Sequence, residues 1–105
     1  MSYWVVKLLG YWFIGRLREV IVVTAHVLAR VVLRASHQSS GKSLHIGARR
    51  PSELRVVRYE GQDGFFLLYC DESGKEMTDT WHHTLDEAFD QAEFEFSVQR
   101  HEWEQ

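Results

Sequence analysis

Five residues in the second half of the chain carry side chains whose types could support chemistry: Cys70, Asp79, Trp81, His82 and His83. Because the two histidines are adjacent, a strand would point them to opposite faces, which makes it difficult for them to share a metal ion. The spacings typical of zinc sites, HExxH and paired CxxC, are both absent. A Cys70–His pair needs a contact that only the fold decides. We therefore predict no metal site, no catalytic residues and no enzyme.

A second group, Gly41-Lys42-Ser43, resembles the end of a phosphate-binding loop. That motif needs a glycine five residues before Gly41, and it lies between a strand and a helix. Position 36 is Ser36, and Pro51 blocks a long helix after the motif. The sequence therefore predicts no nucleotide site and no cofactor.

The net charge of −3 conceals two halves of opposite charge. Residues 1–50 carry eight lysine or arginine residues against one glutamate, a net +7, whereas residues 51–105 carry four basic and fourteen acidic residues, a net −10. The acidic half repels phosphate, which argues against nucleic-acid binding and favours a basic protein partner. The single cysteine rules out an intramolecular disulfide and favours a reducing, cytoplasmic compartment.

The clearest element is a helix beginning at Leu85. Thr84 and Glu87 form a capping-box pattern, and the charges at the start suit the helix dipole. At helical spacing one apolar stripe forms, with four acidic residues outside it and one aromatic residue opposite it. The stripe consists of Leu85, Ala88, Phe89, Ala92 and Phe96; the residues outside it are Asp86, Glu87, Asp90, Glu93 and Phe94.

Three strands precede the helix, at residues 54–60, 65–70 and 77–82, separated by glycine-containing turns. Their short connections predict an α+β fold, in which a three-stranded antiparallel sheet is followed by one amphipathic helix. The central strand is apolar on both faces, and one helix covers only one of them. Phe66 and Leu68 on the other face then need the N-terminal tract, a second copy in a homodimer, or a partner protein.

Residues 1–35, the N-terminal tract, are apolar and basic. The two apolar runs are shorter than the roughly 18 residues of a spanning helix, but a helix over residues 12–34 would carry arginines along one side. That pattern predicts an interfacial helix that contacts a membrane through residues 3–34. Packing on the chain's own sheet, or a β-strand in the valine-rich run, are the alternatives. Composition then predicts a linker at 36–51 and an acidic module at 52–105.

Four stretches, GFFLLY at 64–69, DTWH at 79–82, QAEFEF at 91–96 and EW at 102–103, together resemble a group of small, acidic, uncharacterised bacterial proteins. The resemblance covers roughly residues 54–104 and implies no activity, cofactor or catalytic residue. Proteins of that kind begin just before the first strand. Residues 1–50 are therefore expected to be either an upstream extension from a misassigned start or a genuine membrane or partner anchor.

These observations predict a non-enzymatic, cytoplasmic protein-interaction module that binds or neutralises a basic partner, as an immunity protein does. Two alternatives stay open: a membrane-peripheral protein held by residues 3–34, and a small metal-dependent or Cys/His enzyme at Cys70, His82 and His83. The predicted partner-binding residues are Asp86, Glu87, Asp90, Glu93, Phe94, Phe66 and Leu68.

Overall fold

A computed structural model describes residues 4–8, 22–37 and 49–105, which form one antiparallel sheet and one helix. The strands follow one another in the sheet in the order of the sequence, β1 to β5. The α+β class is therefore confirmed. The bounds are β1 Trp4–Leu8, β2 Val22–Val32, β3 Glu53–Tyr59, β4 Phe65–Cys70, β5 Glu76–His82 and α1 Leu85–Phe96, with a 3₁₀ turn at Arg100–Glu102.

The prediction of three strands is wrong. The three predicted strands are present as β3, β4 and β5, but β2 pairs with the free side of β3 and β1 pairs with β2. The described part of the N-terminal tract therefore belongs to the same sheet as the acidic module. The domain boundaries at 35 and 51 themselves stay a prediction.

The predicted N-terminal helix is also wrong where the chain is described, because residues 22–32 form strand β2. Six of its eleven residues are valine or threonine, and their branched side chains lose rotamer freedom in a helix but pack well on a sheet. Residues 12–21 of the predicted helix and residues 38–48 of the predicted linker lie outside the described residues. Among the described residues no helix has the length and hydrophobicity needed to cross a membrane.

A β-bulge allows β2 to serve both faces of the sheet. Val27 lies opposite Val57, but Ala29 lies opposite Val56, so the pairing shifts by one residue at Leu28. Because side chains alternate along a strand, the extra residue reverses which face the following side chains occupy. Ala25 and Val27 consequently pack on one face, whereas Ala29 and Val31 pack on the other.

The helix α1 covers the face that carries Ala29 and Val31. Ala88, Phe89, Ala92 and Phe96 are buried there, and Leu85 packs at the edge of the same cluster, so the predicted apolar stripe is confirmed. The sheet residues beneath the helix are Leu54, Val56, Leu67 and Tyr69.

The opposite face is also buried within this single chain. Val57 is 1% exposed and Cys70 is fully buried, and the ring of Tyr59 meets the ring of Phe66 edge-on at 5.1 Å between centroids. This face is therefore not an open apolar surface in the monomer. Its buried residues are Ala25, Val27, Val57, Tyr59, Leu68 and Cys70.

The C-terminus returns to the sheet and to the helix. Glu104 exchanges two backbone hydrogen bonds with Arg30 of β2, at 2.8 and 2.9 Å. The buried ring of His37 lies 2.7 Å from the Glu102 carboxylate, and Trp103 packs against Phe89 with 4.9 Å between ring centroids. These contacts tie α1 to β2 through the last residues of the chain.

Gly64 gives a direct test of the turn between β3 and β4. Both Gly61 and Gly64 have positive φ, +81° and +86°, but a Cβ on Gly64 would lie 2.3 Å from Trp81 Nε1, whereas a Cβ on Gly61 would meet nothing within 4 Å. We expect Gly61→Ala to lower the free energy of unfolding by about 1–2 kcal/mol, because alanine is strained in a left-handed backbone conformation. Gly64→Ala should cost a further 1–3 kcal/mol or so, because the indole must move. Urea unfolding of both variants measures the difference, and equal costs would contradict the contact.

Candidate functional site

Thr84 caps the start of α1 as predicted, but the predicted capping box is not formed, because the Glu87 carboxylate bonds His83 and not the backbone N–H of Thr84. The Glu87 backbone N–H donates to the Thr84 hydroxyl at 3.1 Å, and the Glu87 carboxylate accepts from the backbone N–H of His83 at 3.2 Å. The Thr84 hydroxyl thereby satisfies one of the free N–H groups at the helix start, which fixes where the helix begins.

The predicted partner-binding residues of α1 lie together on its outward side. Asp86, Glu87, Asp90 and Glu93 are exposed, and Phe94 keeps 52% of its surface accessible. We call these five residues the acidic face. The sequence placed them correctly relative to the buried stripe because both follow from helical periodicity.

Sequence reasoning missed that Arg100 reaches the acidic face. Its guanidinium lies 2.8 Å from the Asp86 carboxylate and 2.5 Å from that of Asp90, and it sits 5.1 Å from the centroid of the Phe89 ring. The hydrogen bonds that Arg100 donates to the carboxylates of Asp86 and Asp90 raise the pKa of Arg100. The carboxylates at 86 and 90 are thus partly neutralised within the chain, whereas the Glu93 carboxylate forms no ion pair within the described residues.

Phe66 and Leu68, the other predicted binding residues, lie on the sheet face opposite α1. Leu68 is only 7% exposed and Phe66 is half-buried against Tyr59. The fold therefore does not bring them together with the acidic face. Their role in binding stays a prediction, although the burial of Leu68 leaves little of it accessible.

The fold separates the residues whose side chains could support chemistry. Cys70 and His82 lie near opposite ends of the β4–β5 hairpin, since His82 pairs with Phe65, and five residues of strand span about 17 Å. They also occupy opposite faces, because Cys70 belongs to the cluster away from α1. Burial raises the pKa of the Cys70 thiol to about 11, which leaves it a thiol at neutral pH. In the part of the chain that the structure describes, no three potential ligands group to hold a metal ion.

A buried polar group that the sequence analysis did not single out lies between α1 and the sheet. Glu95 is 1% exposed, and its carboxyl group is hydrogen-bonded by the hydroxyl of Tyr69 and by the side-chain amide of Gln91 at 2.9 Å. Thr80 also hydrogen-bonds Tyr69 and lies 2.8 Å from Nε2 of His82. The group contacts no described cleft, so its effect is to hold α1 in one position on the sheet.

The sequence nevertheless contains a pattern that indicates the burial of Glu95. It follows Ala88 by seven residues and Ala92 by three, which puts it on the buried stripe at helical spacing. Burial and the bond to Glu95 raise the pKa of Tyr69 far above its usual 10. A buried acid beside a buried phenol is stable only when each satisfies the other.

Comparison of the chain with protein-family models, with curated proteins and with solved structures finds no match.

Replacing Tyr69 by phenylalanine tests the buried group. The change removes one donor from the buried carboxyl group of Glu95 with little change in shape, so we expect a loss of about 1–3 kcal/mol in the free energy of unfolding. Adding Glu95→Gln in the same background should recover part of the loss, since a neutral amide costs less to bury. Denaturant unfolding measures both, and an unchanged midpoint for Tyr69→Phe would contradict the contact.

His82 should make stability depend on pH. Burial lowers the pKa of His82 below 6.5, although Glu87 and Glu95 oppose this. The unfolded chain therefore takes up a proton at a higher pH than the folded chain, and the free energy of unfolding falls as the pH drops from 6.5 towards the lower folded pKa. We expect His82→Asn to flatten this part of the profile in urea unfolding at a series of pH values. Identical profiles for wild type and variant would rule out His82 as the source.

Proposed function

We propose that this protein is a non-enzymatic, cytoplasmic interaction module that binds a basic protein partner, and neutralises it in the manner of an immunity protein. The observation that carries the proposal is the acidic face, where four carboxylates and an exposed aromatic ring occupy one side of a single helix. Exposed aromatic residues anchor many protein interfaces, and charged neighbours guide the partner towards them.

The charge around the helix supports this proposal. Residues 76–99 contain seven acidic residues and no lysine or arginine. Such a local excess of one sign attracts a partner of the opposite sign and raises the association rate, most strongly at low ionic strength. Arg100 balances part of this charge, because it pairs with Asp86 and Asp90 on one side of the acidic face.

The rigidity of α1 also supports the proposal. Four residues of its inner side are buried in the core, and Glu95 is bonded to the sheet through Tyr69. A helix held in this way presents its outer side in one arrangement, so binding loses little conformational entropy. The same contacts leave the inner polar groups inaccessible, which favours binding over catalysis.

The described residues support the two alternatives less well than the leading proposal. The membrane-peripheral alternative depended on a helix over residues 12–34, and residues 22–32 of it form a strand. The Cys/His alternative needed Cys70 close to His82, and the hairpin holds them apart.

Charge reversal at Glu93 tests the location of the binding surface. Glu93→Lys should weaken binding of a helical lysine- and leucine-containing peptide by about three- to tenfold at low ionic strength, since an exposed charge pair contributes about 0.2–1 kcal/mol and the reversal adds repulsion. Glu60→Lys is the matched control, because it changes the net charge equally at the exposed β3–β4 turn. Fluorescence anisotropy gives the affinities, and equal weakening by both variants would show that only net charge matters.

Phe94 provides an uncharged test of the same surface. We expect Phe94→Ala to lower affinity for the peptide without changing how steeply affinity falls with salt, because it removes apolar contact and no charge. Unaltered affinity would remove Phe94 from the binding surface, and an altered salt dependence would point to a change in the fold.

A further inference from the structure

The last strand of the sheet, β5, has one unpaired side. Among the described strands it pairs only with β4. The backbone N–H of Ser52 donates to the carbonyl of Cys70, so the backbone carbonyl of Cys70 points towards the β3 side of β4. Because neighbouring residues of a strand turn their backbone groups to opposite sides, Tyr69 and Leu67 turn towards β5.

The same alternation identifies the outward groups of β5. Thr78 lies opposite Tyr69 and Thr80 opposite Leu67, so these two threonines pair with β4. Asp79 and Trp81 therefore direct their N–H and C=O groups away from the sheet, and these backbone groups have no partner within the described residues. Proline and lysine, two residues that usually block such an edge, are both absent from β5.

An exposed and well-positioned indole lies at this edge. Trp81 keeps 45% of its surface accessible, yet its ring rests on Gly64, donates to the carbonyl of Asp63 at 3.2 Å and meets the ring of His83 at 4.5 Å between centroids. A large aromatic side chain that is both exposed and held in place is the kind of residue that dominates binding energy at interfaces. Its face also attracts cations.

We propose that an extended basic segment of a partner protein adds to the sheet as a sixth strand, bonded to the backbone of Asp79 and Trp81. This inference rests on the proposed function, and it names how the partner is held. Charge selects the occupant, because Asp79 and the following helix supply only acidic charged groups. A second copy of the chain is disfavoured, since antiparallel pairing centred on Asp79 would place two aspartates opposite each other.

The test uses a synthetic peptide of alternating lysine and valine and a twin that is N-methylated at alternate residues, which cannot form the strand hydrogen bonds. Hydrogen exchange of the Asp79 and Trp81 amides is followed by NMR on the full chain. With the first peptide at about ten times its Kd, we expect exchange to slow about tenfold, because only the free fraction exchanges. The twin should have no effect. Unchanged exchange, equal slowing by both peptides, or slow exchange without any peptide would each overturn the proposal.

A variant pair checks the same edge from the protein side. Asp79→Pro removes an outward N–H without disturbing the β4 ladder, whereas Asp79→Ala removes only the carboxylate. We expect the proline variant to lose binding of the alternating peptide and the alanine variant to keep part of it; equal affinities would count against strand addition. If the helical peptide still binds and responds to Glu93→Lys while the alternating peptide does not bind, strand addition fails and the proposed function stands. If neither peptide binds, both fail.

Discussion

The structure depends on the need to cover both faces of β4. Leu67 and Tyr69 are buried towards α1, while Leu68 and Cys70 are buried on the other side. A helix can cover one face only, so the second face requires further chain. The bulge at Leu28 lets a single strand contribute to both clusters, because it places Ala25 and Val27 on one face and Ala29 and Val31 on the other.

Burial on the inner side of α1 determines what its outer side offers. Glu95 is enclosed against Tyr69, so one of the seven acidic residues of the segment contributes to packing and not to the surface. Of the acidic residues that stay exposed, Asp86 and Asp90 form ion pairs with Arg100. The acidic face and the edge of β5 are neighbours along the chain, because only His83 and Thr84 separate α1 from β5.

The second half of the chain was predictable because its signals are local. The cap at Thr84, the stripe from Leu85 to Phe96 and the glycine-containing turns each act over a few residues, and the helix and the β3–β4–β5 meander follow from them. In the valine-rich run the bulge at Leu28 interrupts the alternation that identifies a strand, and arginines at helical spacing favoured a helix instead. Residues 22–32 form a strand because they pair with β3, which is a contact between distant parts of the chain.

The sequence by itself therefore determined the helix, its acidic outer side and the strong charge difference between the two halves, since each follows from residue type and spacing. Only the tertiary structure decided that Glu95 pairs with Tyr69, that Arg100 reaches Asp86 and Asp90, and that Cys70 is remote from His82. These outcomes depend on contacts between residues far apart in the chain or on different elements. Such contacts are selected by how apolar surface is shared among the strands and the helix, which no local pattern records.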